Sequence, residues 1–146
     1  MADYHGALET AQGQKDVFDY IADFRNAAEW DPATVSLSQT TGNGAGLGAR
    51  YRLVTRFMGR PVTLAYETLA YKPLDELVLG FEGGSVRGTD TIAVTRLGGK
   101  TRLVYSVDFH LTWRWLEPLA VPFFNAAADK ALGGLAHALE GAVVAV

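Results

Sequence analysis

The chemistry in this sequence rests on a set of polar residues in apolar company. Tyr51, Thr55, Tyr66, Thr68, Asp90 and Tyr105 share alternation phase with Leu53, Leu64, Ile92, Leu103 and other apolar residues of extended segments. In such a segment every second side chain points to the same face. The polar set is therefore expected on a face that must be buried. An unpaired hydroxyl in a dry core costs about 1–3 kcal/mol. Several together indicate a hydrated or liganded cavity rather than solid packing. Asp90 is the sharpest case, because a buried carboxylate must be paired, protonated or hydrated. Facing a pocket with Tyr66 and Tyr105, it could act as general acid or base, and these three are the catalytic candidates if the protein is an enzyme. The alternative is a bulge that turns Asp90 outward with Thr89 and Thr91. Glu9 and Glu82 are weaker candidates of the same kind.

Other motifs carry less. Gly44-Ala45-Gly46-Leu47-Gly48-Ala49 has the form G-x-G-x-x-A. That dinucleotide fingerprint needs a helix N-terminus directly after it. The residues that follow alternate with period two, so a flexible rim loop, a gate to the cavity, is the better reading. His5, His110 and His137 fall on separate elements without ligand spacing, and no metal site is expected. Gly83-Gly84-Ser85-Val86-Arg87 fails the last position of the nucleophile elbow G-x-S-x-G. Asp23, Trp30 and Asp31-Pro32 read as structural: a large buried ring, then a helix stop.

The elements that must position these residues follow from periodicity. Residues 14–23 place Val17, Phe18 and Ile21 on one helical face, and a short helical turn follows over 24–30. Extended segments then succeed one another from Thr34 to Trp113. Among them, Val62, Leu64, Tyr66, Thr68 and Ala70 face one way. Gly59-Arg60-Pro61, Lys72-Pro73-Leu74-Asp75, Gly83-Gly84 and Gly98-Gly99 mark tight turns between antiparallel neighbours. The C-terminal run, about Trp115 to Ala142, repeats apolar residues at three- and four-residue steps and reads as one long helix. Pro118 suits its first turn, whereas Pro122 either marks its true start or kinks it. Its back half, with Leu132 and Leu135, should pack on the sheet, and Gly133-Gly134 should allow close contact there. Its front half, with Phe123, Phe124 and Asn125, should roof a cavity. Phe57 and Trp113 complete the ligand-binding candidates at its mouth. The expected class is α+β: about seven antiparallel strands covered by one long helix.

Composition narrows the partners. A chain of 146 residues with 49% hydrophobic residues suits a single domain with one core, spanning 1–146. A net charge of −3 argues against nucleic acid, which wants a basic face. The sequence has no cysteine, which excludes disulfides and thiolate chemistry. The N-terminus lacks a basic region followed by an apolar one, and no run approaches the ~20 residues of a membrane span, so a cytoplasmic protein is expected.

Three stretches resemble a known superfamily: Val17 to Asn26 continuing to Trp30-Asp31-Pro32, Gly48-Ala49-Arg50-Tyr51, and Gly99-Lys100-Thr101-Arg102-Leu103. Together with the glycine-rich loop, they resemble the START/Bet v 1-like (SRPBCC) superfamily, in its polyketide cyclase/dehydrase and lipid-transport group. The resemblance implies a helix-grip fold, a curved antiparallel sheet wrapped around the C-terminal helix with a cavity between them. It implies a hydrophobic small-molecule ligand such as a lipid, polyketide-like aromatic or isoprenoid, without a cofactor, and leaves a homodimer open. The alternative it implies is a cyclase, dehydratase or aromatase acting through pocket acid/base residues.

Overall fold

The computed structural model describes residues 2–146. Strand β1 (Ala2–Thr10) leads into α1 (Gln14–Ala22), a 3-10 turn (Phe24–Asn26) and α2 (Ala27–Trp30). Six strands follow: β2 (Thr34–Thr41), β3 (Arg50–Phe57), β4 (Arg60–Lys72), β5 (Glu76–Gly83), β6 (Val86–Leu97) and β7 (Lys100–Leu111). A 3-10 turn (Arg114–Leu116), the helix α3 (Glu117–Ala138) and a short strand β8 (Ala142–Val144) complete the chain. The sheet is eight-stranded and antiparallel, in the order β2-β3-β4-β5-β6-β7-β1-β8. This is the helix-grip architecture, with one strand more than the sequence suggests.

The extra strand comes from the end of the long helical run. The Thr10 hydroxyl donates to the Leu139 carbonyl at 2.7 Å, satisfying a carbonyl that α3 leaves open. Glu140 then takes φ 55°, and the chain turns back through Gly141. A Cβ on Gly141 would lie 2.3 Å from the Glu9 carbonyl oxygen, so only glycine fits this approach. Ala142 to Val144 pair with Glu9 to Ala7 of β1. Three residues are too few for alternation to show in a sequence.

Helix α3 starts at Glu117, ahead of Pro122, which lies inside it. Pro122 has no N–H, so the Pro118 carbonyl loses its intrahelical donor. The helix rests on β1: the Tyr4 hydroxyl donates to Asp129 Oδ1 at 2.6 Å, and Leu132 Cδ2 would lie 2.6 Å from a Cβ on Gly6. Gly134 faces not the sheet but the end of α2, where an added Cβ would meet the Trp30 carbonyl oxygen at 1.9 Å. Gly133 has open space around it. A bulge between Thr68 and Ala70 resets the phase of β4, so Tyr71 rather than Ala70 turns inward, its ring 5.6 Å from Phe18.

Candidate functional site

Between the sheet and α3 lies a cavity of about 850 Å³. It occupies only one half of the sheet's inner face. On β3 it reaches Thr55 and Phe57, on β4 Val62 to Tyr66, and on β7 Tyr105 to Leu111. The other half is filled. Phe24, from the first 3-10 turn, stacks on Tyr66 at 4.4 Å and sets its edge against Tyr51 at 5.4 Å. Asp23 fixes that turn, accepting from the Arg25 backbone N–H at 3.2 Å and from its guanidinium at 2.8 and 2.9 Å. Phe24 thus ends the cavity at the layer of Tyr66, Asp90 and Tyr105.

The roof explains why there is space at all. Ala120, Ala127, Ala128 and Ala131 of α3 face the cavity, with Phe124 the one aromatic side chain among them, stacked on Phe109 at 3.9 Å. Further along, Leu132, Leu135 and Leu139 are fully buried core. Small residues leave a void between helix and sheet that large ones would fill. The run Ala126-Ala127-Ala128 is the sequence signal for this. Periodicity alone treats alanine as one more apolar residue and does not reveal the gap.

Of the residues expected at the site, Thr55, Phe57, Tyr66, Asp90, Tyr105 and Phe124 line the cavity. Asp90 stays in phase on β6, paired with Leu79 and Val107, and is 4% exposed. The outward alternative for it does not occur. The remaining five lie elsewhere. Tyr51 is buried beyond Phe24 and donates to the Gly44 carbonyl at 3.1 Å. Thr68 is the next inward position of β4 past the cavity's end, and its hydroxyl has no partner among the described residues. Trp113 is 62% exposed, because β7 stops at Leu111 and the following 3-10 turn breaks the alternation. Phe123 is 52% exposed, one helical position (about 100°) away from Phe124. Asn125 lies off the cavity lining, with a buried Oδ1 that has no partner among the described residues.

Three further expectations are corrected. The glycine-rich loop, 42–48, joins β2 to β3 at the strand ends opposite the cavity mouth, so it is no gate. Gln39 pins it, with its amide donating to Gly44 O at 2.9 Å and accepting from Gly44 N at 2.8 Å. Glu9 pairs with Arg102 at 3.3 Å outside the cavity, and Glu82 is exposed on the outer face. Sequence reasoning misses Asp31: it stops α2, yet it also lines the cavity. Its Oδ1 accepts the Ala33 N–H at 3.0 Å, which aims the carboxyl from the loop toward the Asp90 layer. The Trp30-Asp31-Pro32 motif marks the position but not its role.

The deep end is electrostatically unusual. Burial, then the nearby charges of Asp31 and Asp108, push the Asp90 carboxyl up to about 8, against a pull downward from the hydrogen bond of Tyr105. Burial also raises Asp31, opposed by the Ala33 N–H. Burial and the Asp90 charge hold the Tyr66 and Tyr105 phenols well above their ordinary range. At neutral pH this layer thus presents a protonated Asp90 carboxyl hydrogen-bonded with Tyr105 and the Tyr66 phenol, with the Asp31 carboxyl beside them. Such a layer can hold an oxygen acceptor, and Asp90 can release or take up a proton near neutral pH.

These elements define the helix-grip class of architecture, here enclosing a largely apolar cavity with a few convergent polar groups. The sequence from residue 12 to 140 matches the polyketide cyclase / dehydrase and lipid transport family, and the chain belongs to it. Solved structures agree on the fold. A START superfamily protein from Mycobacterium smegmatis superposes with a TM-score of 0.82 at 13% identity, over 96% of this chain and 98% of that one. The Zhui aromatase/cyclase from Streptomyces sp. R1128 gives 0.79 at 16% identity, over 94% and 93%. A protein from Thermus thermophilus gives 0.77 at 18%, over 94% and 97%. At such identities the likeness establishes fold alone. A search of curated sequences finds no match. Among the described residues, no helix is long and apolar enough to cross a membrane.

Proposed function

We propose that the protein binds or transports a hydrophobic small molecule, of lipid, polyketide-like or isoprenoid character, in the cavity between the sheet and α3. The observation that carries this reading is the void of about 850 Å³, walled by apolar side chains, with Tyr66, Asp90 and Tyr105 at its deep end. Pockets of roughly 300–1,000 Å³ hold small-molecule ligands. Burying ~300 Å² of apolar ligand surface yields about 7 kcal/mol before the cost of association. The test is cavity filling. Ala128→Phe places a ring in the void and should lower the affinity for a polycyclic aromatic probe at least about tenfold. Its circular dichroism should stay that of the wild type. Unchanged affinity in a folded variant would place binding elsewhere.

A second reading is favoured by one observation, the raised proton affinity of Asp90 beside the Tyr105 hydroxyl. A cyclase- or dehydratase-type enzyme needs such a group. In a dehydration of a β-hydroxy ketone, a base removes the α proton, an acid protonates the departing hydroxyl, and the carbon–carbon double bond forms as water leaves. Asp90 would serve as one of these groups, with Tyr66 and Tyr105 holding the carbonyl. Asp90→Asn separates the readings: it keeps ligand binding in both and abolishes turnover in this one.

A further inference from the structure

The cavity is asymmetric in charge from end to end. Its deep layer holds Tyr66, Asp90 and Tyr105, and the half-buried Asp31 adds its carboxyl from the loop after α2. Among the described residues, the one basic side chain on the lining is Arg56, an exposed residue of β3 next to Phe57 and Met58 at the mouth. Met58 is itself 57% exposed. We propose, resting on the ligand-binding reading, that the cavity selects ligands by the charge of their two ends: an uncharged oxygen acceptor, a ketone or phenol, enters first, and an anionic end remains at Arg56.

The physical basis is the donor inventory. A carboxylate head driven inward would lose its hydration and meet two carboxyl groups with no cation to offset them. A ketone oxygen would meet hydroxyl donors from β4 and β7 and the protonated acid of β6. The groups facing Asp90 are Asp31 from the end of α2, Tyr66 from β4 and Tyr105 from β7, with Asp108 of β7 acting from the outer face. None of them supplies a positive charge. Arg56 has no ion-pair partner among the described residues, so its guanidinium is available to an anion at the entrance.

Three probes sharing one anthracene skeleton test this, carrying a methyl ketone, a carboxylate or an aminomethyl group. Calorimetric titration of the full chain near neutral pH should rank the ketone at least about tenfold above the carboxylate. Tyr105→Phe should weaken the ketone severalfold and leave the carboxylate unaffected. Raising the pH to about 9, where Asp90 loses its proton, should erode the ketone's affinity in the wild type. Asp90→Asn, which cannot ionise, should show no such change between neutral pH and about 9. A ketone probe with a carboxylate at its far end should lose affinity severalfold in Arg56→Ala. Equal binding of ketone and carboxylate, or tightest binding of the ammonium, would overturn the proposal while leaving ligand binding intact. Binding of none of the probes would overturn both.

Discussion

A carboxyl enclosed by Tyr66, Tyr105 and Asp31 that keeps its proton to about pH 8 weighs on folding as well as on chemistry. In the unfolded chain the same group releases its proton near 3.8. Between these values the folded state binds more protons than the unfolded state, so stability falls as pH rises and levels off above about 8. The gap corresponds to at most about 6 kcal/mol, with water in the cavity reducing it. Asp90→Asn removes this term. Its melting temperature should exceed the wild type's, with the difference growing from pH 4 to about 8. Burial raises Asp31 as well, which leaves a smaller slope of the same sign in the variant. Thermal melts across this range check the expectation, and a variant with the full wild-type slope would show that the protons bind elsewhere. Asp90's inward position is legible in the alternation of β6. Asp31's place on the cavity is not, because a helix-stopping Asp-Pro reads the same whichever way its carboxyl turns.

At the scale of elements, adjacent glycines in α3 have opposite roles. Gly134 permits the contact with the Trp30 carbonyl that fixes α3 against α2, whereas Gly133 touches nothing. Gly133→Ala should stabilise the protein by about 1 kcal/mol through helix propensity. Gly134→Ala should destabilise it by more than about 2 kcal/mol, since neither backbone can yield. Urea midpoints of the two variants decide this, and equal effects would contradict the packing of α2 on α3. Sequence periodicity places both residues correctly in the helix but assigns their contact to the sheet. The same limit applies to Trp113 and to Ala70. Alternation extrapolates a face until something interrupts it, and the interruptions here are a 3-10 turn after Leu111 and a bulge at Leu69. Neither leaves a glycine or proline as a mark. The filling of the sheet's other half by Phe24 is hidden for a different reason. It depends on where a short turn docks in three dimensions.

For the whole molecule, fold class and strand order along the chain are legible because each turn carries its own chemistry and each strand its own period. The pairing of β1 is not local in that way. Strand β1 lies between β7 and β8, with Ala2 opposite Phe109 and Ala7 opposite Val144. Both of its neighbours come from the far end of the chain. On a ribosome adding about 5–20 residues per second, the first strand waits about 5–20 s before β7 exists to receive it. Throughout that interval β1 lacks both of its sheet partners, although it carries Leu8, a residue that is completely buried once folding ends. Ribosome-stalled chains that expose everything up to Leu97 should remain open to protease in β1, while chains exposing the whole sequence should resist. Protection of β1 in the shorter chains would mean that it finds another partner first. The antiparallel contact of β1 with β7 thus also sets a schedule: β1 is synthesised well before its partner, and its pairing waits for residues 100–111.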